Sequence, residues 1–388
     1  MRRLFLLVAA VVLVDTAFYA AISPLLPHYR SELGLSKTAA GVLAGSYAAG
    51  TLAGSIPAGW LADRAGVKPT LLAGLGLMST TSLVFGFADD VVVLDSARFV
   101  QGVGGACSWA AGMAWLVGAA PPERRGELIG SAIAAAIVGV LLGPVLGGAA
   151  TVIGPEPVFG AIAVVGLGLA AWAWATPGAR PGETGGLRAA GQVLRQPAVA
   201  AAFWLFLLPA LFAGVINVLV PLRLDELGAS GAAVGAAFLV AALGEAAVSP
   251  LAGRVSDRHG RLRPIRVGLA GGATMAVLLP LAGTAVLSAT ALLAAVLALG
   301  MFWAPAMAML SDGVERAGLA QGLAFGFSNV AWAGGVLAGS SAGGALAEAT
   351  TDTVPYSILA LTCALTLLAQ ARLASRPQAP QGSTPSLR

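Results

Sequence analysis

The sequence predicts an all-α integral membrane protein, with twelve transmembrane helices in two parallel six-helix repeats and both termini in the cytoplasm. Three observations predict it. The chain of 388 residues is 57% hydrophobic and only 10% charged, with a mean hydropathy of +0.85, whereas a soluble domain carries about 25% charged residues. Its apolar residues fall in long runs separated by short charged breaks. The two halves align with each other at a constant offset of 194 residues.

A helix needs about 20 apolar residues to cross about 30 Å of hydrocarbon. Span 1 is read from the opening MRRLFLLVAAVVLVDTAFYAAISPLLP. That stretch is too long for the core of a secretory signal, contains Asp15, and is followed by many more spans. Uncharged runs then place span 2 at Thr38–Ala62, span 3 at Pro69–Ala88, span 4 at Phe99–Pro122, span 5 at Leu128–Pro155 and span 6 at Pro157–Ala179. Spans 7 and 8 follow at Gln196–Leu222 and Leu227–Gly244. The run Val267–Ser311 holds 45 residues. At 1.5 Å each it would extend roughly 68 Å, about twice the hydrocarbon core. It is therefore a hairpin of spans 9 and 10, with Pro280 and Gly283 marking the turn. Spans 11 and 12 are Leu319–Ala347 and Thr353–Ala371.

Lys and Arg set the orientation, because short cytoplasmic loops carry them in excess. With the N-terminus inside, every basic residue outside the spans is cytoplasmic except Arg30, Lys37 and Arg223; Arg98 lies within span 4. The chain divides into a first bundle (1–176), a linker rich in Gly, Pro and Arg (177–195), a second bundle (196–374) and a polar, Pro-rich tail (375–388) expected to be disordered.

Composition also excludes several classes. A pI near 9.5 suggests nucleic acid, but the basic residues are sparse and sit at the ends of apolar runs rather than on one face. Cys107 and Cys363 lie inside apolar segments with no CxxC and no nearby His, so they read as buried thiols, with no disulfide and no metal site. No soluble domain carries a nucleophile and base, and His28 and His259 fall at opposite membrane faces, so neither an enzyme nor a cofactor is expected. GVGGAC lies in a membrane helix with no strand before it and is no nucleotide loop.

The repeat is legible in two pairs of stretches. PHYRSELGLS (Pro27–Ser36) lies over PLRLDELGAS (Pro221–Ser230), and GWLADRAG (Gly59–Gly66) over GRVSDRHG (Gly253–Gly260). Two halves in one orientation form a parallel repeat. Over nearly its whole length the sequence resembles the major facilitator superfamily. GWLADRAGVK is similar to that family's loop motif between spans 2 and 3, and GRVSDRHGRLR to its weaker counterpart after span 8. RFVQGVGGA (Arg98–Ala106) resembles the span 4 motif. GSAIAAAIVGVLLGPVLGG resembles the span 5 signature of the drug:proton antiporter branch, with Gly130, Gly139, Gly143, Pro144, Gly147 and Gly148 at the family spacing.

Each motif has a physical use. Asp63 and Asp257, at the cytoplasmic ends of spans 2 and 8, can cap a neighbouring helix N-terminus, and Arg64 and Arg258 can bind an acid or a helix C-terminus. The resemblance implies a gating role for them with Gly59 and Gly66, as a latch on the cytoplasmic side. Topology alone would also place these arginines inside. In span 5, Gly139, Gly143 and Gly147 recur every four residues and form a smooth stripe for close helix packing, and Pro144 bends the helix.

The charges inside the membrane say the most. A charge at the bilayer centre costs at least about 2.5–3.5 kcal/mol, so such residues are kept for a partner, an ion or a substrate. Asp15 is near the middle of span 1, Arg98 about two turns into span 4 and Glu245 in the middle of span 8. Burial raises the pKa of a carboxyl and a nearby arginine lowers it, so an acid whose surroundings change with the open side can load and release a proton. Asp15 is read as the proton-exchanging group and Arg98 as its tuner, or the two as a structural salt bridge. Glu245 is read as a second site, for protons or for a cationic substrate. Tyr19, Gln101, Trp109, Asn217, Trp303, Asn329 and Trp332 are the expected cavity residues, an aromatic set that suits a lipophilic or cationic compound. Trp115 is read as an interfacial anchor.

The sequence thus predicts a secondary transporter of the inner (plasma) membrane, monomeric, with lipid, protons and a small molecule as its partners and no nucleic acid. Proton-coupled efflux is the leading reading. Uptake or facilitated diffusion of a sugar or other metabolite, or a sensor on a transporter scaffold, are the alternatives.

Overall fold

The computed structural model describes residues 2–121, 125–178, 195–316 and 322–374. The expected linker falls almost wholly outside these residues and the expected tail wholly outside. Among the described residues there are helices and no strand. Eleven of the helices are long and apolar enough to cross a membrane. Span 4, Val91–Ala119, is the twelfth. It is less apolar because it is an interior helix: Gln101, Gly102, Gly104, Gly105 and Ser108 are all buried.

The observed helices run past the charges that bounded the uncharged runs. Span 2 is Lys37–Arg64, span 8 is Gly231–His259 and carries Glu245 in its interior, and span 10 is Ala285–Arg316. A single charge does not stop helix propagation, because the backbone bonds are made regardless of the side chain. Spans 9 and 10 form the expected hairpin, with a 3-10 turn at Leu279–Leu281 around Pro280.

Span 1 departs from the expectation of one continuous helix. It is two helices, Arg2–Ala20 and Ile22–Leu33, joined at Ala21. Pro24 accounts for the break: it has no N–H to give to the carbonyl of Ala20, and its ring crowds that carbonyl.

The repeated residues do the same local work in both halves. Ser36 caps span 2 by accepting from the Ala39 N–H, and Ser230 caps span 8 by accepting from Ala233. Gly34 and Gly228 have φ of 65° and 83°, and Gly66 and Gly260 have φ of 97° and 92°. Glycine alone tolerates such values cheaply, so the repeated turns require it.

Span 5 (Arg125–Ile153) packs its glycine stripe on span 1. A Cβ on Gly139 would run into Thr16 and the Leu13 carbonyl, one on Gly143 into Ala20, and one on Gly147 into the Ala21 carbonyl. Gly148 turns the other way, its own added Cβ lying 3.6 Å from Gly235 Cα on span 8. A Cβ added at Gly130 would meet nothing within 4 Å, so no close helix contact requires a glycine there. Trp115 is not an interfacial anchor: it is 1% exposed and packs with Leu4, Leu7, Val8 and Leu71 of spans 1 and 3. Its apolar ring is satisfied by burial within the bundle. Cys107 and Cys363 are free and buried.

Candidate functional site

Asp15 sits at the heart of the first six spans. It is 2% exposed, and both its oxygens are taken. The Tyr47 hydroxyl of span 2 donates to Oδ1 at 2.6 Å, and the Trp109 indole N–H of span 4 donates to Oδ2 at 2.7 Å. Gly105 lets span 4 come this close, because a Cβ there would fall 2.7 Å from Asp15 Oδ1 and into the Tyr47 hydroxyl.

Arg98 is 1% exposed and does not pair directly with Asp15. Its guanidinium donates to the carbonyls of Phe18 and Tyr19, each at 3.2 Å. These carbonyls lie at the end of the first half of span 1, beside the break at Ala21, where a helix leaves its last carbonyls without intrahelical partners. The cation also lies 5.2 to 5.9 Å from the ring centroids of Phe18, Tyr47 and Phe85. The alternative of a direct salt bridge between Asp15 and Arg98 is not what is seen; Arg98 instead places a charged cap on a broken helix.

Glu245 is half-buried and accepts a hydrogen bond from the Trp303 indole, whose ring meets Phe206 edge-on at 5.2 Å. Tyr19 joins the two halves. Its ring packs against Tyr47 at 5.3 Å and Trp332 at 4.9 Å, and Asn217 of span 7 lies near its hydroxyl. Tyr19, Trp303 and Trp332 pack around one apolar cluster of Ala48, Ala210, Ala333 and Val336. Asn329 is half-buried on span 11, three residues before Trp332. Among the residues expected to line a cavity, Gln101 stands apart. It is 0% exposed, with both amide atoms buried and unpartnered, so it belongs to the interior beside Arg98.

The loop motifs are separate from this site. Arg64 is exposed and stacks over Trp60 at 5.2 Å. Asp257 is held by Arg261 at 2.7 Å, and Arg261 reaches Asp312 of span 10 at 3.4 Å, so this contact lies within the second six spans. Lys68, at the end of the first motif, donates to the Trp174 and Thr176 carbonyls and so caps span 6.

Sequence reasoning missed two features. One is Tyr47, a buried hydroxyl in the middle of a span. The other is an ionic cluster at the end of the bundle that the charge rule places outside. Glu226 of span 7 binds Arg30 at 3.0 Å, Lys37 at 3.9 Å and Arg223 at 3.5 Å, and Lys37 also binds Asp352 at 2.6 Å. Arg30 and Lys37 belong to the first half and Glu226 and Asp352 to the second, so the cluster ties the halves together. The signal was present: these are the three cations that broke the charge rule. A cavity of about 350 Å³ opens beside it, lined by Lys37, Arg223, Asp352 and Tyr356 among others, and by none of the residues expected to line a substrate cavity.

The chain matches the family model described as Major Facilitator Superfamily over residues 7–334, and again over 202–387. It is 32% identical to the vesicular acetylcholine transporter of Homo sapiens over 134 residues, which is 34% of this chain and 25% of that one. It is 34% identical to the probable vesicular acetylcholine transporter-B of Danio rerio over 157 residues, 38% of this chain and 32% of that one. These matches span a third or less of the relatives' lengths. Among solved structures, the chain resembles a D-xylose-proton symporter (TM-score 0.74, 17% identity, 94% of this chain and 96% of that one). It also resembles the nucleoside transporter NupG (TM-score 0.77, 10% identity, 96% and 100%). At these identities the likeness is one of fold.

Proposed function

The chain belongs to the Major Facilitator Superfamily, and we propose that within it this protein is a proton-coupled exporter of small lipophilic or cationic compounds, of the drug:proton antiporter branch. Substrate outward and proton inward would share one central cavity by alternating access. The observation that carries this reading is Asp15, an acid in the middle of the bundle with two donors, Tyr47 and Trp109, and a guanidinium at one remove. Such an acid changes its proton affinity when its donors or its solvation change, and both change if the halves rock.

In this reading Asp15 exchanges the proton, Arg98 sets its field and the position of the broken span 1, and Glu245 is the second acid of the cavity. Tyr19, Trp109, Asn217, Trp303, Asn329 and Trp332 form the walls. Gly59, Asp63, Arg64, Gly66, Asp257 and Arg258 serve the cytoplasmic gate, and Gly139, Gly143, Pro144 and Gly147 let span 1 move against span 5. The human relative named for acetylcholine, an organic cation, supports a cationic cargo. The sugar-uptake reading has only a likeness of fold behind it. The plasma membrane and a monomeric state are part of the proposal.

The test is transport in proteoliposomes carrying an internal pH dye, with a panel of lipophilic cations and neutral compounds. Substrate-dependent proton movement, lost in Asp15→Asn, is the expected result. Transport without any proton signal would overturn the antiport reading and leave facilitated diffusion.

A further inference from the structure

The offset of 194 residues that relates the two halves carries Trp109 onto Trp303. Both indoles donate their N–H to an acid within the bundle, Trp109 to Asp15 on span 1 and Trp303 to Glu245 on span 8. One repeated donor thus serves two acids on helices that are not repeat mates, and the two acids sit in unlike surroundings.

Asp15 is closed. It is 2% exposed, both oxygens have donors, and Arg98 supplies a positive charge nearby. The backbone at Gly105 leaves no space for anything larger than hydrogen beside Oδ1. Glu245 is open by comparison. It is half-buried, its donor is Trp303, and among the described residues no lysine or arginine is paired with it within 4 Å. The nearest glycine on span 10, Gly300, leaves slack, since a Cβ there would lie an ordinary 3.4 Å from Glu245 Cγ.

A carboxylate inside a membrane protein is expensive without a cation. At Asp15 the chain provides one. At Glu245 it does not, and aromatic rings gather beside the acid: Trp303, its donor, meets Phe206 edge-on, and Tyr19 and Trp332 pack in the cluster that holds Trp303. Aromatic faces attract an organic cation, more strongly where water is excluded. We infer that Glu245 is the substrate-recognition acid, taking the positive centre of an organic cation against Trp303, while Asp15 is kept for the proton. The assignment of Glu245 rests on the chain being a transporter of small molecules, but not on its being proton-coupled; only the role of Asp15 depends on that.

The test is equilibrium binding to the purified full chain in lipid nanodiscs, with tetraphenylphosphonium as the cation and triphenylphosphine oxide as a neutral compound of related shape. The wild type is expected to bind the phosphonium at least tenfold more tightly than the oxide. Glu245→Gln is expected to weaken phosphonium binding tenfold or more and to leave the oxide within twofold. That unchanged oxide binding also reports that the variant is folded. Glu245→Asp, which keeps the charge, is expected to retain the preference. A wild type that binds the two alike or binds neither, or a Gln variant that keeps the preference, overturns the inference. So does a Gln variant that loses proton movement in proteoliposomes with its cation preference intact, because Glu245 would then be a proton site. If the wild type moves no protons while the preference depends on Glu245, the antiport reading fails and this one stands.

Discussion

Glu226→Gln tests whether the ionic cluster holds the outer side shut. The substitution keeps shape and removes charge. It breaks two pairs that cross between the halves, to Arg30 at 3.0 Å and to Lys37 at 3.9 Å, and leaves the crossing pair of Lys37 with Asp352. The Arg223 contact lies within span 7 and does not count toward closure. The side chains in the two lost pairs are between 21% and 33% exposed, so each pair contributes about 0.2–1 kcal/mol. Together that is about 0.4–2 kcal/mol, a factor of about 2–30 in the ratio of closed to open outer side. Ala48 reports on it. It is 0% exposed and packs with Ala210, Ala333 and Val336 of spans 7 and 11. In a chain lacking Cys107 and Cys363, Ala48→Cys in right-side-out vesicles is labelled from outside with an impermeant maleimide. The labelling rate is expected to rise by about 2–30-fold in Glu226→Gln, with a smaller difference at 1 M salt, where the Debye length falls to about 3 Å. An unchanged or slower rate at low salt would refute the reasoning.

Three further outcomes follow from the site. Tyr47→Phe deletes the donor to Asp15 Oδ1; a hydrogen bond to a charged group contributes about 1.5–3 kcal/mol, so proton-coupled transport is expected to fall about tenfold or more, read as the initial rate of the internal pH dye. Gly143→Ala drives a methyl group into Ala20 and to 2.9 Å from the Ala17 carbonyl; overpacking of this kind costs about 1–3 kcal/mol, and an unchanged melting temperature in detergent would show that span 5 gives way instead. Arg98→Lys keeps the charge but loses the fork that spans the Phe18 and Tyr19 carbonyls. It is expected to lower the melting temperature and abolish coupled transport, and wild-type behaviour in both would mean that charge alone suffices.

Span number, the hairpin at Pro280 and the repeat were legible because each rests on local chemistry: run length, a proline, a glycine at positive φ, a serine cap. Asp15, Arg98 and Glu245 could be picked out because a charge in an apolar run has no local explanation. Their partners could not. Helical periodicity gives the face a residue occupies, but not which helix lies opposite, so the sequence could pair Asp15 with Arg98 but not with Tyr47. Trp115 and Gln101 were misjudged for the same reason, since a polar edge on an apolar ring and an amide beside an arginine look alike whether they face lipid, cavity or core. The break at Ala21 was signalled by Pro24, yet proline in a membrane helix bends as often as it breaks, and the cation that caps the break comes from another span.

The seam between the halves has a consequence for the energy of opening. Gly148 of span 5 faces Gly235 of span 8, with the Pro144 carbonyl alongside, and Gly41 of span 2 faces Gly344 of span 11, with the Ser340 carbonyl alongside. Gly41 and Gly235 occupy the same place in the two repeats. Where these glycines part, they have no side chains of their own to be wetted, and apolar area newly exposed to water costs roughly 25 cal/mol per Å². A joint made of main chain meeting main chain can therefore be tight when shut and inexpensive to wet when open, which leaves a handful of surface charges able to decide which state prevails.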